Sequence, residues 1–136
     1  MAQTTSIQKI NRAVRRLTGS EPVTVTARGD CMVPWIENGA RLQVTPVRFY
    51  WPGDVIVFQS ASGLRVHRMI GFYRRRGIAK VLTRADNGDR PDAAVPLQCV
   101  LGKVTSVNDM PLSIPLKTRI ISVGHFTQFV LDYVIV

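Results

Sequence analysis

Cys31 and His67 are the residues of this sequence whose side chains most directly allow covalent chemistry. A cysteine attacks as the thiolate. Because the pKa of an ordinary thiol is about 8.5, it needs an imidazole or another positive group to ionise at neutral pH. Cys31 follows the turn residues Gly29-Asp30, and His67 lies in a separate apolar run. We therefore expect the thiol and the imidazole to meet as an ion pair of nucleophile and base.

Short strands separated by turn residues would position these two side chains. Residues 23–27 alternate apolar and polar types and lead toward Cys31, whereas Pro52-Gly53 is typical of a turn before an apolar strand. A hairpin loop at 60–63 would return the chain in the strand that carries His67. The predicted strands are 23–27, 41–44, 55–58, 64–70, 78–83 and 100–107. This pattern predicts a mainly β domain of coiled antiparallel sheets.

Two further segments flank this β domain, which we place at residues 21–110. Residues 1–20 space four apolar side chains at helical intervals with basic residues between them, which predicts an amphipathic helix. That helix either covers an edge of the domain or binds anionic lipid through its basic face. Residues 111–136 form an apolar extension whose polar residues argue against a membrane span. We expect the extension to pack on the domain, whereas an exposed version would mark a membrane or protein contact.

The charge of the chain favours an anionic partner. Its 136 residues carry a formal net charge of +9 and are 46% apolar, which suits one domain with its own core. Nucleic acid is a disfavoured partner, because the basic run Arg74-Arg75-Arg76 lacks aromatic or glycine-rich neighbours in the sequence. Peripheral contact with an anionic membrane surface is an expected interaction of this basic chain.

The cysteines and the absence of targeting patterns indicate a reducing compartment. Cys31 and Cys99 are far apart and lack the spacing of zinc ligands, so we expect no metal and no other cofactor. Cys99 lies in an apolar run and is expected to be a small core residue. We recognise no signal peptide or transmembrane helix, which predicts a cytoplasmic or membrane-peripheral protein.

The motif Cys31-Met32-Val33-Pro34 resembles the Ser-Met-x-Pro box of the signal peptidase I family and of its relatives, the LexA-type self-cleaving repressors. Further boxes follow in the family's order, so that the resemblance covers about residues 23 to 107. These boxes are Glu37-Asn38-Gly39, Pro52-Gly53-Asp54-Val55-Ile56-Val57-Phe58, Val66-His67-Arg68-Met69-Ile70, Leu82-Thr83-Arg84-Ala85-Asp86-Asn87 and Gly102-Lys103-Val104.

The resemblance implies a catalytic role for residues that composition alone would leave unassigned. Cys31 stands where the family has its nucleophilic serine, and His67 stands where many members have lysine. The branch that uses histidine takes an aspartate from the following loop, which points to Asp92, with Asp89 as the alternative. Asp86 matches the family's structural aspartate. The family's Gly-Asp box has become Gly39-Ala40, so one expected carboxylate is missing.

The family also implies a peptide substrate that binds by strand addition beside the strand leading to the nucleophile. The expected substrate-binding residues are Val25, Ala27, Gly29, Met32 and Pro34, and the backbone N–H of Cys31 would stabilise the oxyanion.

Two main functions follow from the resemblance. The first is an endopeptidase that cleaves a leader or precursor peptide through an acyl-enzyme. The alternative is a catalytically inactive peptide-binding module on the same fold, favoured by the exchange of serine for Cys31 and by the missing carboxylate at position 40. A LexA-type regulator is disfavoured because no DNA-binding helix-turn-helix precedes the domain.

Overall fold

The computed structural model describes residues 23–29, 32, 34–61, 63–92 and 94–135. Across these residues, eight strands form one antiparallel sheet that curls into a half-barrel, and one helix follows it. The expected mainly β fold is confirmed. The strands are β1 (Val23–Thr26), β2 (Arg41–Thr45), β3 (Val55–Ser60), β4 (Gly63–Arg75), β5 (Ile78–Arg84), β6 (Val95–Pro96), β7 (Val100–Val107) and β8 (Met110–Pro111), and helix α1 spans Leu116–Ile135. The helix predicted for residues 1–20 lies outside the described residues.

Strand β3 lies near the middle of the sheet and is buried on both faces. The strand order is β1-β2-β7-β3-β4-β5-β6, with β8 paired to β7. Val55 and Val57 belong to the larger core cluster, whereas Ile56 and Phe58 belong to the cluster on the opposite face. Because side chains alternate between the two faces of a strand, an uninterrupted apolar run is what a doubly covered strand requires.

A β-bulge in β4 interrupts the regular alternation of its side chains between the two faces of the sheet. Met69 pairs with Thr83 and Gly71 pairs with Leu82, so Ile70 is the extra residue. Arg68 and Ile70 line a cavity beside α1, and Gly71 also faces the helix, where a Cβ would lie 2.2 Å from the Phe126 ring. His67 and Thr83 lie on the other face of the β4–β5 pair.

Helix α1 packs along the outer part of β4. Phe129 stacks against Tyr73 with 6.3 Å between ring centroids, and Arg119 pairs with the buried Asp54 at 3.0 Å. The outward side of the helix, including Leu116 and Ile120, is exposed. The C-terminal extension therefore both packs on the domain and leaves an apolar side uncovered by the described residues. Within the described ranges, no helix combines the length and hydrophobicity needed to cross a bilayer.

Candidate functional site

The loop around the Cys31 motif is held in place from both ends by hydrogen bonds. Ala27 N donates to Ala40 O and Gly39 N donates to Ala27 O, each at 2.8 Å. Gly29 has a φ of +89°, which favours glycine, and its N–H donates to Asn38 Oδ1 at 2.9 Å. The sequence folds locally in this way because glycines supply the turn and an asparagine side chain closes it.

Cys31 itself lies outside the described residues, as do Asp30 and Val33. Its neighbour Met32 is described and is buried in the core cluster that also contains Ala40. Position 40, where the resemblance leads one to expect a carboxylate, therefore holds a buried methyl group. An ionised side chain there would need a partner inside this apolar cluster.

His67 and Asp92 are brought together by β4 and by the loop after β5. His67 Nδ1 lies 2.5 Å from Asp92 Oδ2, with the imidazole 4% exposed and the carboxylate 34% exposed. An ionised carboxylate only accepts hydrogen bonds, so His67 donates from Nδ1 when Asp92 is ionised. In the neutral ring, Nε2 is then the nitrogen with a lone pair. The edge of Phe58 packs against the ring with 5.7 Å between centroids.

Thr83 fixes the position of Asp92. The two residues form a backbone hydrogen bond from Asp92 N to Thr83 O at 2.8 Å. Thr83 Oγ1 also donates to Asp92 Oδ2 at 3.0 Å, so this oxygen accepts from both His67 and Thr83. Thr83 is fully buried. Thr83 was not assigned a role at the site from the sequence. The available signal was its position in the Leu82–Asn87 motif, which also contains Asp86.

A groove of about 670 Å³ has His67 in its wall. Four of the five expected substrate-binding residues line it, and Leu64, Arg65 and Val66 of β4 form its other side. The four are Val25, Ala27, Gly29 and Met32. Pro34 is placed elsewhere, in the wall of the cavity between the sheet and α1. In the described part of the chain β1 pairs with β2 alone, so its other edge borders the groove.

The other two candidate acids differ in their surroundings. Asp86 forms two hydrogen bonds with Arg68, each at 2.8 Å, and the Arg68 guanidinium also donates to Gly53 O at 2.6 Å. This buried pair joins the loop after β5 to the turn before β3, and Arg68 Cζ lies 5.2 Å from the centre of the Trp35 ring. Asp89 is exposed in the same loop. Of the three acids, Asp92 contacts the imidazole.

Arg68 was missed as a structural residue by the sequence reasoning. The available signal was a charged residue between His67 and the apolar pair Met69-Ile70, because a charged residue at a buried position needs a partner. Its partner is 18 residues further along the chain.

The cavity beneath α1, of about 250 Å³, contains a second histidine. Burial lowers the pKa of His125, and the nearby Arg84 lowers it further. Arg84 itself donates two hydrogen bonds to Gly88 O, at 3.2 and 3.0 Å. His125 is therefore favoured in its neutral form where the helix meets the sheet.

Cys99 is half-buried and unpaired in a 3-10 turn before β7. In the described part of the molecule, no three His, Cys, Asp or Glu side chains are placed to hold a metal ion. A comparison of the sequence with models of known protein families finds no match, and a comparison with curated proteins finds no significant relative.

Proposed function

We propose that this chain is a signal-peptidase-like endopeptidase that uses Cys31, His67 and Asp92 to cleave a leader or precursor peptide. The observation that carries this proposal is the 2.5 Å contact between His67 Nδ1 and Asp92 Oδ2 in the wall of a large groove. A buried imidazole oriented by a carboxylate is the arrangement that a nucleophile needs as its base. Gly29 and Met32, which flank the Cys31 position, line the same groove.

The proposed reaction begins with transfer of the Cys31 thiol proton to His67 Nε2. The thiolate attacks the scissile carbonyl carbon, and the carbonyl oxygen becomes an oxyanion stabilised by the Cys31 backbone N–H. Collapse of this intermediate breaks the C–N bond, and the leaving amine takes the proton from Nε2. A water molecule then loses a proton to Nε2 and hydrolyses the thioester, which restores the thiol. Asp92 stabilises the imidazolium in each half of the cycle.

The substrate would lie in the groove as an extended chain. Among the described residues, β1 pairs on one side only, and on the opposite side of the groove the pairing of β4 with β5 begins at Arg68, so Leu64–His67 border the groove. Backbone hydrogen bonds to such edges supply affinity without regard to sequence, and the apolar walls select side chains. Met32 and Ile36 make part of this wall apolar. These features fit apolar side chains beside the scissile bond.

The alternative is a peptide-binding module that does not hydrolyse its ligand. It would use the same groove, and the replacement of the family's carboxylate by the buried Ala40 favours it. The two functions differ in the reactivity of Cys31.

A thiol-directed electrophile separates the two functions. We expect it to label Cys31 much faster than Cys99, and we expect His67→Ala to remove the difference. A peptide captured on the Cys31→Ala variant would then serve as substrate. The parent protein should cleave it, Cys31→Ala should not, and Cys31→Ser should retain weak activity. If Cys31→Ala cleaves the peptide at the parent's rate, Cys31 is not the nucleophile. Preferential binding without cleavage by any variant would support the alternative.

A further inference from the structure

We propose that one corner of the molecule, built from α1 and the turn at residues 48–52, binds anionic membrane surfaces. We call this corner the α1 face and define it by Phe49, Trp51, Leu116 and Ile120. These side chains are 77%, 66%, 73% and 62% exposed, and they are among the most exposed large apolar side chains in the described chain. This binding role is separate from the proposed peptidase function.

The turn and the helix are held together beneath the exposed side chains. Arg119 Nη1 donates to Pro52 O at 3.2 Å and to Asp54 Oδ1 at 3.0 Å. The other oxygen of Asp54 accepts a hydrogen bond from Trp51 N at 2.8 Å. A Cβ on Gly53 would lie 2.8 Å from Arg119 Cγ, so backbone and helix are already in contact. The two segments that carry the exposed residues are therefore adjacent at this corner.

The exposed side of α1 carries several large apolar side chains, most prominently at the start of the helix. Its inner residues, such as Arg119 and Phe126, face the sheet. Leu116 and Ile120 are one turn apart and point away from it, and Leu131 continues the exposed side toward the other end. A helix with apolar residues on both sides is normally covered on both sides. The covering material must therefore be apolar where it meets these side chains.

The charges around the α1 face favour lipid over a second copy of this chain. The sequence has no Asp or Glu at positions 38–53 or 110–131. Asp54, which reaches this corner, is buried in its ion pair with Arg119. Arg48 and Lys117 are exposed beside the apolar side chains, so pairing of two such faces would bring like charges together. Anionic headgroups would neutralise these cations, and tryptophan prefers the boundary between headgroups and acyl chains.

This surface differs from the lipid contact expected for the basic residues 1–20, which lie outside the described part of the chain. The helical part of this surface also lies beyond the residues that resemble the signal peptidase family, because that resemblance ends near residue 107 and α1 begins at Leu116. The four exposed side chains and the local excess of positive charge together suit a surface that is both apolar and anionic.

Sedimentation with vesicles tests the proposal on the full chain. We expect binding to vesicles of equal parts phosphatidylcholine and phosphatidylglycerol, weakened by salt, and much weaker binding to phosphatidylcholine alone. The double variant Leu116→Glu/Ile120→Glu should lower the partition coefficient by about tenfold or more, because two apolar side chains that would enter the lipid are replaced by charged ones. Both side chains are exposed, so the thermal midpoint should stay unchanged.

The single variant Leu116→Glu has a matched control in Leu97→Glu, because each introduces one carboxylate at an exposed leucine. Leu97 lies before Val100, which pairs with Phe58 toward the end of β3 away from the Asp54 turn. Leu97→Glu should therefore lower binding only slightly. A second measurement needs no charged variant: in Trp35→Phe, the emission of the remaining Trp51 should shift to the blue when vesicles are added.

Three results would overturn the proposal. The first is no vesicle binding by the parent. The second is binding that the double variant leaves intact, which would assign the contact to residues 1–20. The third is a lipid-free dimer that Ile120→Glu dissociates, which would assign the face to a second copy. Thiol labelling of Cys31 is measured without lipid, so failure of the peptidase proposal can be distinguished from failure of the lipid-binding proposal.

Discussion

Asp92→Asn tests how far the buried imidazole depends on its carboxylate partner. Asp92 Oδ2 accepts hydrogen bonds from His67 Nδ1 at 2.5 Å and from Thr83 Oγ1 at 3.0 Å. An asparagine can place its amide oxygen at that point and keep both donors satisfied. The substitution therefore removes the negative charge while the geometry persists, and the fold should survive it.

The expected loss follows from the difference between charged and neutral hydrogen bonds. A hydrogen bond to a charged group contributes about 1.5–3 kcal/mol and a neutral one about 1 kcal/mol. The difference is about 0.5–2 kcal/mol, which corresponds to roughly a 2- to 30-fold change in the population of the thiolate–imidazolium pair. The imidazole is 4% exposed, so water has little access to replace the lost charge. We expect alkylation of Cys31 at neutral pH to slow by this factor.

The assay is the rate of Cys31 alkylation by iodoacetamide in a Cys99→Ser background, followed by mass spectrometry across pH. Asp92→Asn should shift the rise in reactivity to higher pH, because the thiolate loses support from the imidazolium. Asp89→Asn is the control, since it removes the same charge from an exposed position in the same loop. Equal pH profiles for the two variants would refute the idea that Asp92 acts on Cys31 through His67.

Three other changes test the fold around the site. Asp86→Ala removes the carboxylate that accepts two hydrogen bonds from the buried Arg68. It should lower the free energy of unfolding by about 3 kcal/mol, measured by urea titration. A loss below about 1 kcal/mol would contradict burial of the pair. Gly71→Ala places a methyl group against the Phe126 ring and should cost about 1–3 kcal/mol in the same titration. Below pH 6.5, the parent should lose more stability than His125→Gln, because the folded-state pKa of His125 is lowered and protonation then opposes folding; parallel stability curves would refute this.

Local patterns in the sequence were sufficient to predict the central hairpin. An apolar run at 55–58 followed by a small polar loop predicted two paired strands, and β3 and β4 form that hairpin. The full length of β4 was not predictable in the same way. Its side chains change phase at Ile70, so the alternation that identifies a strand is broken before Arg75.

Contacts between distant segments were beyond the reach of local patterns. The apolar composition of the C-terminal extension did not show which side of it would pack, because that depended on the absence of a side chain at Gly71. For the site, a position in the family pattern pointed to Asp92, and the structure places that carboxylate against His67. Its catalytic role stays a prediction. The contribution of Thr83 required the fold, because nothing in one sequence shows that two donors share one oxygen.

The extra residue in β4 lies between the proposed catalytic half and the helix-binding half of one strand. Met69 and Gly71 lie opposite the consecutive residues Thr83 and Leu82, so removing Ile70 would restore a regular ladder with β5 and leave every later residue on its present face. Tyr73 would stay against Phe129, and His67 would keep its place. A deletion would remove the part of the cavity wall beneath α1 that Ile70 provides. A change of one residue in length at this point would therefore alter the cavity without changing which face of the strand carries the helix.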